Sequence, residues 1–181
     1  IFFYISFSIS IAQRPITSKD IVNLKTVSQA SFHFDGSKIV YIKSIPSFND
    51  GDKVSSFKEI WVTKSNGKDQ KKYTSSSSSI RSPQWTPKGD ISYLSRNRDF
   101  DKNTQIYTIP IDGGEPSILT SHDQGIISYK WSPDGKWIAF TSKDAISEKR
   151  RKEISEGYDM VVMEEEKLFT RLWIYSLKNN S

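Results

Sequence analysis

Three short stretches of this chain repeat one order of residues, and that order admits few folds. The clearest copy is Trp131-Ser132-Pro133-Asp134-Gly135-Lys136-Trp137-Ile138-Ala139-Phe140-Thr141. Pro133 sets φ for a turn, Asp134 can bond its own neighbouring backbone, and Gly135 supplies the left-handed residue of a tight hairpin. Ile138 and Phe140 then alternate with smaller residues at strand period. Trp131, just before the turn, is placed to fill a gap between stacked sheets. A second copy is Trp85-Thr86-Pro87-Lys88-Gly89-Asp90-Ile91-Ser92-Tyr93-Leu94, and a worn one is Phe34-Asp35-Gly36-Ser37-Lys38-Ile39-Val40-Tyr41-Ile42. Gly36 to Gly89 is a step of 53 residues, and Gly89 to Gly135 a step of 46.

A second phrase follows each copy: Glu59-Ile60-Trp61-Val62-Thr63, Gln105-Ile106-Tyr107-Thr108-Ile109 and Arg171-Leu172-Trp173-Ile174-Tyr175. Several short strands within a period of about 40–50 residues are the mark of propeller blades. An antiparallel sandwich would supply strands but not the repeated order. The expected fold is therefore all-β: a partial β-propeller of about three four-stranded blades, over residues 26–74, 75–120 and 121–181. Blade one is expected to place strands near Val27–Phe34, Lys38–Ser44 and Lys58–Lys64, with a polar loop at Phe48–Ser56 and a basic outer strand ending near Thr74. The lead-in before it, with Ile21, Val22 and Leu24, is expected to hold one helical turn or an edge strand.

Two segments stand apart from the repeat. Residues 1–13 carry no charge, and Ser10-Ile11-Ala12 places small residues as a cleavage site before Gln13 would. The reading is a signal-peptide remnant, and so export to the periplasm or beyond; Ser6, Ser8 and Ser10 alternating with apolar residues would also suit a strand. The run is too short to span a bilayer. Ser142–Arg171 interrupts blade three with a charged, helix-prone stretch, Ser147–Glu153, stopped at Gly157, and a strand-like Asp159–Met163. A long insertion in a short-looped fold is usually functional. The serine run Ser75–Ser79 matches Ser121–Gly125 of the next repeat and is expected to be a connection between blades, not a domain linker.

Composition excludes several chemistries. The nine glycines contain no G-x-S-x-G nucleophile elbow, and no Gly-Lys is followed by Ser or Thr as in a P-loop. His33 and His122 are the only histidines and cysteine is absent, which removes thiolate and multi-histidine metal sites. Both histidines are expected to be structural or solvent-facing. Arg98–Asn103 spaces Asp99, Asp101 and Asn103 as a calcium loop does, but Thr104 and Pro110 stand where such a loop needs Gly and Glu. The net charge of +5 is spread among acids, so no nucleic-acid stripe is expected. No cofactor, no metal and no catalytic residue is expected.

The Trp131–Phe140 phrase and Ile106-Tyr107-Thr108-Ile109-Pro110-Ile111-Asp112-Gly113-Gly114-Glu115-Pro116 resemble TolB-type propeller repeats. Such repeats occur in TolB and in the N-terminal propeller of prolyl-oligopeptidase-family serine peptidases. The order of the whole chain, with the Lys149–Glu156 insertion and the Phe169–Tyr175 return, resembles the acylaminoacyl-peptidase and dipeptidyl-peptidase branch. So does the opening from Val22 to Tyr41. The resemblance implies a seven- or eight-bladed propeller capping an α/β-hydrolase domain that carries Ser, Asp and His after the blades. It implies that the propeller admits short peptides and, in some members, holds their free amine with acidic side chains. On this reading the chain is the first part of a longer protein, truncated before closure and before any hydrolase domain. Glu164, Glu165 and Glu166 are the residues that could contact substrate, although a solvated turn accounts for them as well. The alternative is a TolB-like, non-catalytic scaffold binding envelope proteins; whether the protein forms a homo-oligomer is left open.

Overall fold

In the computed structural model, which describes residues 14–48, 54–75, 77, 79–96, 103–158 and 168–178, the repeated phrases become hairpins. The chain enters through helix α1 (Ser18–Val22), the helical alternative for the lead-in. Thr17 caps it: Asp20 N donates to the Thr17 hydroxyl, and the Asp20 carboxylate accepts from Thr17 N at 2.8 Å, so two otherwise orphaned donors are satisfied. Four strands follow, β1 (Thr26–Phe32), β2 (Lys38–Phe48), β3 (Val54–Lys64) and β4 (Lys71–Lys72). The next four are β5 (Arg81–Trp85), β6 (Ile91–Ser95), β7 (Gln105–Ile109) and β8 (Ser117–Ile118). Then come β9 (Ser128–Trp131), β10 (Trp137–Lys143), helix α2 (Glu148–Ser155) and β11 (Thr170–Ser176).

Each group forms an antiparallel sheet in chain order: β1-β2-β3-β4, β5-β6-β7-β8 and β9-β10-β11. The turn glycines Gly36, Gly89 and Gly135 have φ of 72°, 89° and 69°. Asp134 Oδ1 accepts from Lys136 N at 3.1 Å, and Asp35 Oδ1 from Ser37 N at 2.8 Å, so each aspartate closes its own turn. Gly135 also faces the equivalent turn of the second sheet. A Cβ there would lie 3.2 Å from Pro87 Cβ, so glycine is needed for space as well as for φ.

One feature of the first sheet differs from expectation. Phe48–Ser56 is not all loop, because β2 and β3 remain paired through Ile45↔Phe57, Pro46↔Ser56, Ser47↔Ser55 and Phe48↔Val54. The polar composition at both ends of this stretch does not interrupt the ladder, which runs to Phe48↔Val54. The strand-like Asp159–Met163 and the candidate signal at residues 1–13 lie outside the described residues.

The core lies between sheets. Val40, Ile42, Ile60 and Val62 of the first sheet pack against Ile80, Ile91, Tyr93 and Ile109. On the opposite side of the second sheet, Leu94 and Ile106 pack against Ile126, Tyr129, Ile138 and Phe140. Period-2 alternation on β6 explains the division: Ile91 and Tyr93 face the first sheet, Ser92 and Leu94 the third. All five residues of β6 are buried. Fully burying an isoleucine such as Ile42 or Ile138 is worth about 2 kcal/mol, which makes these interfaces the main stabilising term.

Polar contacts between the sheets repeat with the sequence period. Trp85 Nε1 donates to Ser31 O at 3.0 Å across 54 residues, and Ser82 N to Gln29 Oε1 at 2.5 Å across 53. Between the second and third sheets, Gln84 Nε2 donates to Tyr129 O across 45 residues and the Tyr129 hydroxyl to Ser82 O across 47. Trp131 does bridge sheets, as its position before the turn predicts: its Nε1 donates to Ser92 Oγ at 2.9 Å. The outer strands repeat as well. Ile60 N donates to Thr74 Oγ1 at 2.9 Å and Ile106 N to Thr120 Oγ1 at 3.0 Å, each across 14 residues. By contrast, Leu172 and Ile174 on β11 and Val27 and Phe32 on β1 are exposed apolar side chains on the first and last sheets.

Candidate functional site at the long-loop end

An antiparallel meander sends its connections alternately to two ends. One end holds the short glycine turns at Gly36, Gly67, Gly89, Gly113 and Gly135. At the other lie the strand ends from which the longer connections leave and to which they return, at Phe48 and Val54, Ser95 and Gln105, and Lys143 and Thr170. Long loops on a rigid scaffold are where binding groups concentrate.

At this end a cleft of about 180 Å³ opens between the second and third sheets. Arg81 begins β5, Arg96 follows β6 and Lys143 ends β10, and all three line the cleft together with Gln124 and the backbone around Gly125. Gly125 brings the walls together: at φ 74° its Cα approaches the β6–β7 loop so closely that a Cβ would sit 3.2 Å from Thr104 N and from Asn103 Cβ. Ile126 N donates to Thr104 O at 2.8 Å, and Arg81 Nη2 to Ile126 O at 2.9 Å. The Asn103 side-chain amide donates to Asp123 O.

Gln105 fixes the link from the second to the third sheet. Its Oε1 accepts from His122 N and Thr120 Oγ1 at 3.0 Å each, while its Nε2 donates to His122 O at 2.8 Å. The His122 ring packs edge-on against Phe140 and Trp173, with centroids 5.2 and 5.1 Å away. Ser142 Oγ donates to Gly125 O at 2.6 Å and lies 3.3 Å from His122 Nδ1. His33 likewise packs edge-on against Trp85 at 4.7 Å, with Nδ1 2.6 Å from Asp35 Oδ1. Both histidines are therefore structural, one at each interface between sheets. The serine run is held too: Ser77 bridges to Lys58, and Ser79 Oγ lies 2.9 Å from Ser95 Oγ and accepts from Arg96 N.

The electrostatics of the cleft are one-sided. Its lining contains three cations and, among the described residues, no carboxylate. Arg171 differs, since it grips Asp144 through two donors, one of them Nη2 to Oδ2 at 3.1 Å, and holds that carboxyl below the usual carboxylate range. Asp144 N also donates to Phe169 O at 2.9 Å, and Phe169 N to Asp144 Oδ2 at 3.3 Å. This clamp draws together the two ends of the insertion that carries α2. The helix itself forms where the sequence predicts, with Gly157 at φ 92° after it. Glu164, Glu165 and Glu166 lie outside the described residues. No group of three or more His, Cys, Asp or Glu that could hold a metal ion exists among the described residues, and none of their helices is long and apolar enough to cross a membrane.

Sequence reasoning missed the cleft. Arg81, Arg96 and Lys143 belong to no motif, and they converge only because each stands at a strand end on the same side of neighbouring sheets. The available signal was a basic residue at the long-loop end of adjacent repeats.

The arrangement of sheets matches known structures. The β-propeller domain of the Trilobed protease from Pyrococcus furiosus superposes with a TM-score of 0.53, at 13% identity, over 86% of this chain and 40% of that one. The chain is part of a β-propeller. The three sheets are thus blades, and the long-loop end is one end of the propeller. AtxE2 isopeptidase superposes with a TM-score of 0.65 over 92% of this chain and 31% of that one, at 15% identity. TolB from Acinetobacter baumannii gives 0.55 over 84% of this chain and 30% of that one, at 19% identity. No family model matches. In sequence, the chain is 29% identical over 126 residues to the uncharacterized peptidase YuxL of Bacillus subtilis (strain 168), covering 70% of this chain. It is 26% identical over 128 residues to dipeptidyl-peptidase 5 of Porphyromonas endodontalis, again covering 70% of this chain. The chain spans 19% and 18% of the length of these two relatives.

Proposed function

We propose that these blades are the first part of a substrate-gating propeller of a serine peptidase that acts on short peptides. The observation that carries this reading is the sequence match to two peptidases across 70% of the chain. Blade architecture adds to it. Exposed Leu172 and Ile174 on the last blade, and Val27 and Phe32 on the first, are what further blades of the same propeller would cover, as the two neighbours of β6 cover it. The catalytic serine, aspartate and histidine belong to a hydrolase domain following the propeller, which restricts access to that domain. Within this division of labour the insertion rooted at Asp144 and Phe169 reaches toward substrate, and Glu164–Glu166 hold its free amine. Export to the periplasm or beyond, from the uncharged segment at residues 1–13, belongs to the same proposal.

The test is to express the full-length gene product, label it with a fluorophosphonate probe and assay dipeptidyl and acylaminoacyl chromogenic substrates. Covalent labelling of one serine together with release of the chromophore from short substrates is the expected result. A protein that is neither labelled nor active, yet recovers a stable envelope partner, would replace the peptidase reading with that of a TolB-like scaffold.

A further inference from the structure

The cleft between the second and third blades carries positive charge that no carboxylate among its described lining residues offsets. Arg81 spends one donor on Ile126 O, which fixes its position, and among the described residues it forms no ion pair. Arg96 and Lys143 are exposed, and neither forms an ion pair with a described residue. Elsewhere on the surface several cations do have acidic partners: Arg14 with Asp20, Lys72 with Glu59 at 3.3 Å and Arg171 with Asp144. Holding three like charges around one small cleft is unfavourable unless a negative group enters it. Two of the three are guanidiniums, whose planar forks match the two oxygens of a carboxylate.

We propose that this cleft is a carboxylate-binding subsite, occupied by the C-terminal carboxylate or an acidic side chain of a short peptide. Its size, about 180 Å³, suits a carboxylate with the residue that bears it and not an extended polyanion. Its place suits the role as well, at the loop-rich end and between two blades. Gly125 and the Gln105 contacts hold the walls before any ligand arrives, so binding requires little ordering. The inference rests on the peptide-binding reading above, but it concerns binding and not hydrolysis.

The experiment is calorimetric titration of the full-length gene product, at low ionic strength, with the tripeptide Ala-Ala-Phe, with its C-terminal amide, and with an amidated tripeptide carrying one Asp. The free acid should bind about tenfold more tightly than the plain amide, as a charge-assisted hydrogen bond predicts. The preference should shrink as salt is added. R96Q combined with K143Q should abolish it; R96K should retain most of it. Tight binding of the Asp-containing amide would show that a side-chain carboxylate is accepted, and equality with the plain amide would restrict the subsite to the C-terminus. Equal binding of acid and plain amide by the unmodified protein, or an acid preference that survives the double substitution, overturns the proposal. So does competition by inorganic phosphate without any acid preference. Selective acid binding without hydrolysis would count against the peptidase alone, and hydrolysis without acid preference against the subsite alone.

Discussion

Ser92 gives the sharpest test of how the second and third blades are joined. Its side chain is fully buried, and Oγ receives the Trp131 indole N–H and lies 2.9 Å from the Tyr129 hydroxyl, while its own proton points to Gln84 O at 3.2 Å. Among the described residues, Ser92 is the sole acceptor of the Trp131 indole N–H, and Ser92→Ala removes it. Tyr129 keeps Ser82 O at 3.0 Å, so its loss is smaller. Leaving one buried donor without a partner costs about 1–3 kcal/mol, and the cavity from one lost hydroxyl adds little, so Ser92→Ala should destabilise by about 2 kcal/mol. Trp131→Phe removes the donor instead. In a double-mutant cycle measured by urea unfolding, the two substitutions should couple by about 1 kcal/mol, because the second finds the hydrogen bond already gone. Strict additivity, or a Ser92→Ala cost below about 0.5 kcal/mol, would refute the claim that this hydroxyl joins the blades.

The other predictions concern single contacts. Thr120→Val keeps the shape but strips the acceptor from Ile106 N, so it should cost about 1–2 kcal/mol and speed hydrogen exchange at the Ile106 amide. Gly125→Ala should cost more than Gly67→Ala. Both demand a left-handed residue, worth about 1–2 kcal/mol, but only Gly125 has backbone 3.2 Å from the new Cβ, a difference that unfolding of the two variants measures. Arg171 holds the Asp144 carboxyl below its ordinary value, so the folded state binds that proton less readily than the unfolded chain. Its stabilising contribution is therefore complete above the unfolded carboxylate range near pH 4 and is lost as pH falls through the lower folded value. Asp144→Asn should flatten that part of the stability–pH curve and lower stability above about pH 5, where the contribution is complete, without changing the slope there.

What the sequence made legible was whatever is encoded locally. Gly36, Gly89 and Gly135 announce three turns because only glycine takes that backbone cheaply, and the tryptophans before the last two pack between sheets, where a large ring fills the gap. The 53-residue step between those glycines reappears in the contact Gln29–Ser82, and the 46-residue step is matched within one residue by Gln84–Tyr129, so the repeat is spatial as well as textual. Other features had no local signal. Gln29 and Ser82, one repeat apart, both have φ of 53° beside a register shift in their strands. Nothing about a glutamine or a serine predicts that; here the Gln29 side chain holds Ser82 N, so one blade supports the unusual backbone of the next. The cationic cleft was hidden for a similar reason, since Arg81, Arg96 and Lys143 are scattered in sequence and meet only when strand ends are aligned. Polar composition near Ser55 and Ser56 misled in the opposite direction, because backbone pairing with Ser47 and Pro46 needs no apolar alternation.

That these blades open the propeller of a serine peptidase is tested most directly by the nucleotide sequence past the codon for Ser181. It should encode four or five further blades and then a hydrolase domain with G-x-S-x-G followed by aspartate and histidine in that order. A stop codon after further Trp-Ser-Pro-Asp-Gly repeats, with no hydrolase domain, would contradict it.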